Sequence, residues 1–351
     1  MIAKRIEYID AMRGFTMFLV VLWHVMFLSF GITAQESTIA TFFLTFRMPM
    51  FFFISGLLGY KAIEVFDKSQ FISLVKKKSF VQLVPTFVFF SLFHISKNSS
   101  PLVFFSEGLT GYWFTLVLFE LFITLYIFTL IIKSIGGGRK LLFSVLVILV
   151  IIWNVIAFFI NTRYPMPKIS VIFTLNNYFY YFQFFVLGCL FNACPIFKEK
   201  LIGYRSFTWF VVLFFSLFIV ESKWLTYDFN RFIYYVIDSF IIRYLGLLMV
   251  FNIFALSSDY FEHNGKISRI MQFAGSRTLD IYLLHYFFLP NLEILKPYFV
   301  HEGGEFIIGE IFVLGFVSIM LMAMCLFISA CLRNSPILAK YLFGILPKNY
   351  F

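Results

Sequence analysis

Arg13 and His24 are the first residues in the chain whose types and spacing suggest chemistry. Arg13 belongs to the stretch Ile9-Asp10-Ala11-Met12-Arg13-Gly14, and His24 sits well inside the apolar run that follows. On one helix, at about 100° per residue, the two share a face roughly 16 Å apart along the axis. An ionisable side chain inside an apolar span is costly and marks a functional site by default. A histidine, with an ordinary pKa of about 6.5, suits proton transfer near neutral pH. The plainer alternatives are a histidine satisfied by a neighbouring helix, or a secretory signal. The signal would use Lys4 and Arg5 as its basic end and Ile32-Thr33-Ala34 as a weak cleavage site. It fails because the apolar run is long, holds a histidine and is followed by many more such runs.

Other apolar stretches also carry more polarity than packing needs. Arg47 stands two residues before Pro49 in Phe46-Arg47-Met48-Pro49-Met50-Phe51-Phe52-Phe53-Ile54-Ser55-Gly56. Proline leaves a carbonyl without its helical partner, and arginine in lipid must face protein or water. A cavity role and a snorkelling role both fit Arg47. Ser55-Gly56 reads as a close helix contact. The Lys76-Lys77-Lys78 loop, ahead of Val84-Pro85, suits anionic lipid or the landing of a phosphorylated donor. Tyr112-Trp113-Phe114 opens a span where aromatic belts sit, and the tryptophan also fits a sugar-stacking platform. Glu120 follows in that span, where a carboxylate is expected to have a partner. Tyr282 and His285 are helical neighbours, and Arg277 with Asp280 reads as a charged pair at a helix start.

Only a membrane scaffold can position these groups. Hydrophobic residues make up 61% of the 351 and charged residues 13%, against about a quarter charged in a soluble domain. The expected fold is all-α: one domain over residues 1–351, a polytopic membrane bundle of about ten transmembrane helices, with no separate soluble domain. The spans run roughly 15–33, 40–60, 80–96, 111–133, 141–160, 173–193, 206–221, 232–256, 278–293 and 307–332. Residues 257–277 are polar and expected at the membrane surface. Gly136-Gly137-Gly138 and Pro165-Met166-Pro167 mark tight connections. Cys189, Cys194, Cys325 and Cys331 show no metal or redox spacing and read as packing residues.

The net charge of +10 would suit nucleic acid if it were clustered. Instead the loops sort it. Lys4, Arg5, Arg13, Lys61, Lys68, Lys76 to Lys78, Lys133, Arg139, Lys140, Lys198, Lys200, Arg205, Lys266, Arg269, Arg277, Arg333, Lys340 and Lys348 fall in one alternate set. Lys97, Arg163, Lys168, Lys223, Arg231 and Lys296 fall in the other. That asymmetry predicts cytoplasmic termini and a multi-pass protein of a cytoplasmic membrane, with no nucleic-acid partner.

The chain resembles the acyltransferase 3 family of integral membrane acyltransferases, which includes many bacterial polysaccharide O-acetyltransferases. The likeness rests on Tyr8-Ile9-Asp10-Ala11-Met12-Arg13-Gly14 with His24, the Arg47 to Gly56 stretch, Tyr112-Trp113-Phe114, Tyr181-Phe182-Gln183-Phe184-Phe185-Val186-Leu187-Gly188, and Gly275-Ser276-Arg277 through Tyr282-Leu283-Leu284-His285. It implies acyl transfer, commonly from cytoplasmic acetyl-CoA, to a hydroxyl of a cell-surface glycan or lipid-linked sugar. It implies an active centre at His24 and Arg13, with Asp10 beside them. Arg13 and Lys76 to Lys78 are the expected donor contacts, and Arg47, Trp113, Glu120, Tyr282 and His285 the expected cavity or acceptor residues. No resident cofactor or metal is expected. Gln82 stands before Pro85 where many members carry arginine, which shifts the donor contacts of that loop. His24 can serve as general base or as covalent acyl relay. An exporter, an assembly subunit of a synthase complex and an O-succinyltransferase fit the same residues.

Overall fold

The computed structural model describes residues 6–60, 67–162, 168–224, 231–263, 265–301 and 304–345. Lys4, Arg5, Lys61, Arg163, Lys348 and the Pro165-Met166-Pro167 connection lie outside them. In lipid every backbone polar group must be satisfied within its own segment, so long apolar runs fold as helices. The principal helices are α1 (Glu7–His24), α2 (Thr38–Gly59), α3 (Lys68–Lys78), α4 (Val84–Ser96), α5 (Trp113–Ser134), α6 (Arg139–Thr162), α7 (Leu175–Ala193), α8 (Tyr204–Trp224), α9 (Arg243–Leu256), α10 (Lys266–Ser276), α11 (Thr278–Leu284), α12 (Ile307–Arg333) and α13 (Pro336–Phe343). Among the described residues, eight helical segments are long and apolar enough to cross a membrane. The count is nine if Leu175–Ala193 and Pro195–Leu201, bent by 108°, form one span. The chain is a polytopic helical membrane protein. A two-residue strand pair, Val300–His301 with Gly304–Glu305, is its only described sheet.

Four expectations are corrected. Residues 278–293 do not form a span-length helix. α11 stops at Leu284, a 3-10 turn covers His285–Phe287, and the chain then runs irregularly through Pro290. Proline has no N–H to continue a helix, and its ring disfavours helical backbone before it. Nor does the 266–276 part of the polar stretch lie apart from the spans, because α10 packs directly on α1. A Cβ on Gly14 would lie 2.1 Å from the Met271 carbonyl oxygen, and one on Gly275 would lie 1.8 Å from that of Asp10. The polarity of this stretch is spent internally: Ser268 Oγ and Gln272 Nε2 both donate to the Phe261 carbonyl. Third, the first helix begins at Glu7 and not near residue 15, so Asp10 and Arg13 lie inside it. Fourth, Lys76 to Lys78 form the last turn of α3, whose start is capped by Asp67 accepting from the Gln70 N–H. A widened π segment, Ser79–Leu83, carries α3 into α4 ahead of Pro85; extra width there relieves the clash between a proline ring and the preceding turn.

The chain divides into two compact units, Met1–Phe51 with Ile196–Ser329, and Phe52–Pro195 with Ala330–Phe351. The first is built on the glycine contact of α1 with α10 and on α8 against α9, where Gly246 admits Phe214. In the second, α7 meets the 52–59 part of α2 through Gly56 and Gly188. A Cβ on either would lie 2.0 Å from a carbonyl oxygen, that of Phe185 or Phe53. Ser55-Gly56 thus adjoins a close helix contact, as its composition predicts. α6 pairs with α7 in the same unit, where Gln183 Nε2 donates to Asn154 Oδ1 at 3.2 Å.

Candidate active site

His24 ends the α-helical part of α1, and the next turn widens into the π segment Val25–Ser29. Such single π turns recur at functional sites. His24 and Tyr286 are partly accessible, and His285 is fully buried. His24 Nδ1 lies 3.0 Å from His285 Nε2, and His24 Nε2 lies 2.9 Å from the Tyr286 hydroxyl. His285 Nδ1 lies 3.0 Å from the Ile281 carbonyl oxygen.

These contacts order the protons. A carbonyl only accepts, so His285 Nδ1 carries hydrogen and, in the neutral ring, Nε2 accepts. His24 Nδ1 therefore donates to His285, which leaves the His24 Nε2 lone pair to accept from the Tyr286 O–H. All three hydrogen bonds run in one direction, from Tyr286 through His24 and His285 to Ile281. The Tyr282 ring packs 6.1 Å from His285, centroid to centroid.

Arg47 is buried and turned inward. Its guanidinium carbon sits 5.1 Å from the ring centroid of Trp23, the neighbour of His24 in sequence. Arg47 and Trp23 help line a cavity of about 70 Å³ whose other walls include Leu19, Leu22, Phe43 and Ile311.

At the other end of the same face, Arg13 Nη2 donates to Thr278 Oγ1 at 3.1 Å, and Nη1 faces Asp10 Oδ1 at 3.5 Å. Arg277 Nη1 lies 3.7 Å from Asp280 Oδ2. Asp280 is buried and accepts from Ser329 Oγ. Residues 278–286 thus meet α1 at both Arg13 and His24.

The remaining predicted residues belong to the second unit. Trp113 stacks with Tyr181 at 5.6 Å and with Phe52 at 6.3 Å between centroids. The Glu120 carboxylate is expected to have a partner, but its Oε2 is buried without a hydrogen bond among the described residues. Its span offers apolar side chains and hydroxyls, and the nearby hydroxyl of Thr124 bonds to the Glu120 carbonyl and to Tyr178. Lys76 and Lys77 are exposed, whereas Lys78 Nζ lies 3.4 Å above the Phe122 ring. Gln82 is buried.

Sequence reasoning missed Tyr286, Thr278 and the Ser37 hydroxyl that bonds Glu310 in the first unit. It also missed a polar tie outside the spans. The Glu36 carboxylate accepts from the Thr33 N–H at 2.9 Å and from Lys296 Nζ at 3.0 Å. The Thr33 backbone first, then Lys296 and the Thr33 hydroxyl, lower its pKa to about 2. A glutamate three residues after a threonine was the available signal.

Compared with known proteins, residues 6–332 match the acyltransferase 3 family model, described as an acyltransferase domain, and the chain belongs to that family. No curated protein and no solved structure matches it.

Proposed function

We propose that this member of the acyltransferase 3 family moves an acyl group, acetyl in the first instance, from acyl-CoA to a hydroxyl of a cell-surface glycan or lipid-linked sugar. His24 is the general base. The observation that carries this reading is the hydroxyl of Tyr286 donating to His24 Nε2 at 2.9 Å. That is the geometry an acceptor hydroxyl needs in order to surrender its proton. The acceptor hydroxyl takes the place of the tyrosine, His24 Nε2 removes its proton, and the oxygen attacks the thioester carbonyl. The tetrahedral oxyanion collapses, the C–S bond breaks, and the leaving thiolate takes the proton back from His24. Ester and free thiol are the products. Arg47, the charged group of the neighbouring cavity, is placed to stabilise the oxyanion. Arg13 holds the donor from the N-terminal half of α1, below His24. The same Tyr286 contact favours the base over the covalent relay, since a relay needs Nε2 bare towards the thioester.

The test is purified full-length protein in lipid nanodiscs with labelled acetyl-CoA and a membrane glycan fraction. Wild type should transfer label to glycan and release thiol. His24→Ala should lose transfer at unchanged protein level. Near-normal transfer by His24→Ala, or polymer export lost in cells while the glycan ester persists, would overturn the reading.

A further inference from the structure

The His24 centre sits where two helices lose their regular bonding. His24 is followed by the π segment Val25–Ser29, and His285 and Tyr286 lie in a 3-10 turn that runs into irregular chain. A 3-10 turn has poorer hydrogen-bond geometry than an α-helix, so neighbours must fix what it carries. On one side of the centre, Arg13 joins the two halves at Thr278, and Gly14 and Gly275 let their backbones touch. On the other side, the join falls to the two segments that leave the centre.

Those segments are knitted together. The Leu292 N–H donates to the Ser29 carbonyl at 2.8 Å. The buried rings of Phe30 and Phe299 meet edge to face at 5.6 Å between centroids. Gly31 has φ +67°, which glycine adopts without strain, and a Cβ there would lie 3.3 Å from Glu293 Cγ. Lys296 fastens the crossing. Its Nζ donates to the Gly31 carbonyl at 2.9 Å, and to Glu36 Oε1 and Oε2 at 2.9 and 3.0 Å. Glu36 is held in turn by the Thr33 N–H and the Thr33 hydroxyl, each at 2.9 Å. One ammonium, on the segment after Tyr286, therefore grips two points on the segment after His24. The Lys296 and Glu36 side chains are 29% and 35% exposed, and ion pairs this wet add little to stability. Their leverage lies in placement, since a shift of about 1 Å at reacting groups costs about a hundredfold in rate.

We propose that Lys296 is a positioning residue for the His24 centre: it ties the segment after His24 to the segment after Tyr286, and so keeps the Tyr286 hydroxyl and the His285 ring on His24. This rests on the acyl-transfer reading. The bonds of Lys296 run to Gly31 and Glu36, so it acts through the chain and not on substrate.

The experiment uses the full chain in nanodiscs and reads two quantities. Lys296→Met keeps an apolar stem and removes the ammonium, whereas Lys296→Arg keeps donors for both partners. The first quantity is steady-state transfer from acetyl-CoA to the membrane glycan fraction. Lys296→Met should lower kcat about tenfold to a hundredfold and leave KM for acetyl-CoA unchanged, because the donor is held elsewhere. Lys296→Arg should recover most of the rate. The second quantity needs no turnover: carbethoxylation by diethyl pyrocarbonate, read by mass spectrometry at His24 and at the exposed His263. The Tyr286 hydroxyl covers His24 Nε2, so Lys296→Met should be modified several-fold faster at His24 and no faster at His263. Wild-type kcat and wild-type modification of His24 in Lys296→Met would overturn the positioning role while leaving acyl transfer standing. A raised KM for acetyl-CoA, with His24 and His263 modified faster alike, would also overturn it, by showing a general loosening of the fold. Faster modification of His24 alone, in a protein whose wild type transfers no acyl group, would sink the acyl-transfer reading and keep the tie.

Discussion

Gly275→Ala is a one-methyl perturbation whose effect can be worked from the geometry. The added Cβ would lie 1.8 Å from the Asp10 carbonyl oxygen, 2.7 Å from its carbonyl carbon and 3.0 Å from the Gly14 nitrogen. A carbon needs about 3.3 Å from an oxygen even in the closest favourable contact, so the backbones of α1 and α10 must separate by about 1.5 Å. Backbone cannot rotate aside as a side chain does, so overpacking here falls at the upper end of about 1–3 kcal/mol. Only Arg277 separates α10 from α11, so the displacement passes to Thr278 and His285. The Thr278–Arg13 and His285–His24 bonds, at 3.1 and 3.0 Å, have little room before they break. Losing both adds about 0.5–1.5 kcal/mol each. The expected result is a lowered unfolding temperature in detergent and acyl transfer reduced at least a hundredfold. Gly315→Ala is the control: its Cβ would meet nothing within 4 Å, and a helix-interior alanine is neutral or stabilising. Both variants should insert and accumulate, and both can be measured by fluorescence-detected thermal unfolding and by thiol release. If Gly275→Ala behaves like Gly315→Ala, the claim that this contact sets the register of the His24 centre is wrong.

Tyr286→Phe should reduce kcat/KM by less than about tenfold, the worth of one neutral hydrogen bond, because the acceptor hydroxyl replaces the tyrosine in the reaction; a loss of a thousandfold would place the tyrosine hydroxyl on the proton path. Glu36 gives a pH signature. Its carboxyl pKa is lowered from 4.5 to about 2 in the folded chain, so the stabilisation it provides is present above 4.5 and lost as pH falls from there through about 2. Wild-type unfolding temperature should drop more steeply over that window than that of Glu36→Gln, and parallel curves would show that the Glu36–Lys296 tie does not matter.

The long apolar spans and the polar exceptions within them were legible in the sequence for one reason: each is expensive in lipid. Arg13, His24, Arg47 and His285 stood out on that ground. What was not legible depends on turn type and on partners remote in sequence. Helical spacing pairs His285 with Tyr282, yet the hydroxyl that reaches His24 belongs to Tyr286. The backbone tightens to a 3-10 turn at His285, and no spacing rule announces that change. Gly14 and Gly275 look like ordinary helix glycines until their backbones are seen to touch. That contact turns 266–276 from a polar surface segment into the helix that packs on α1. Lys78 carried the same ambiguity, since a lysine at the end of a basic run gives no sign that it will settle over Phe122.

The proton order at His24 also bears on what kind of acyl transfer the centre can drive. When His24 Nε2 takes a proton, its Nδ1–H goes on donating to His285, and no second proton has to move. His285 is held ready to accept because its own N–H is bound to the Ile281 carbonyl. In serine hydrolases a carboxylate fills that orienting position and stabilises the imidazolium by its charge. A neutral histidine fixes tautomer and orientation equally well but stabilises the cation less, which makes His24 the weaker base. A weaker base is sufficient where the leaving group is a thiolate, since its expulsion needs little help from acid catalysis. It is poorly suited to amide cleavage, where a basic nitrogen must be protonated as it leaves. In the proposed reaction, the pairing of two histidines therefore matches an activated thioester donor.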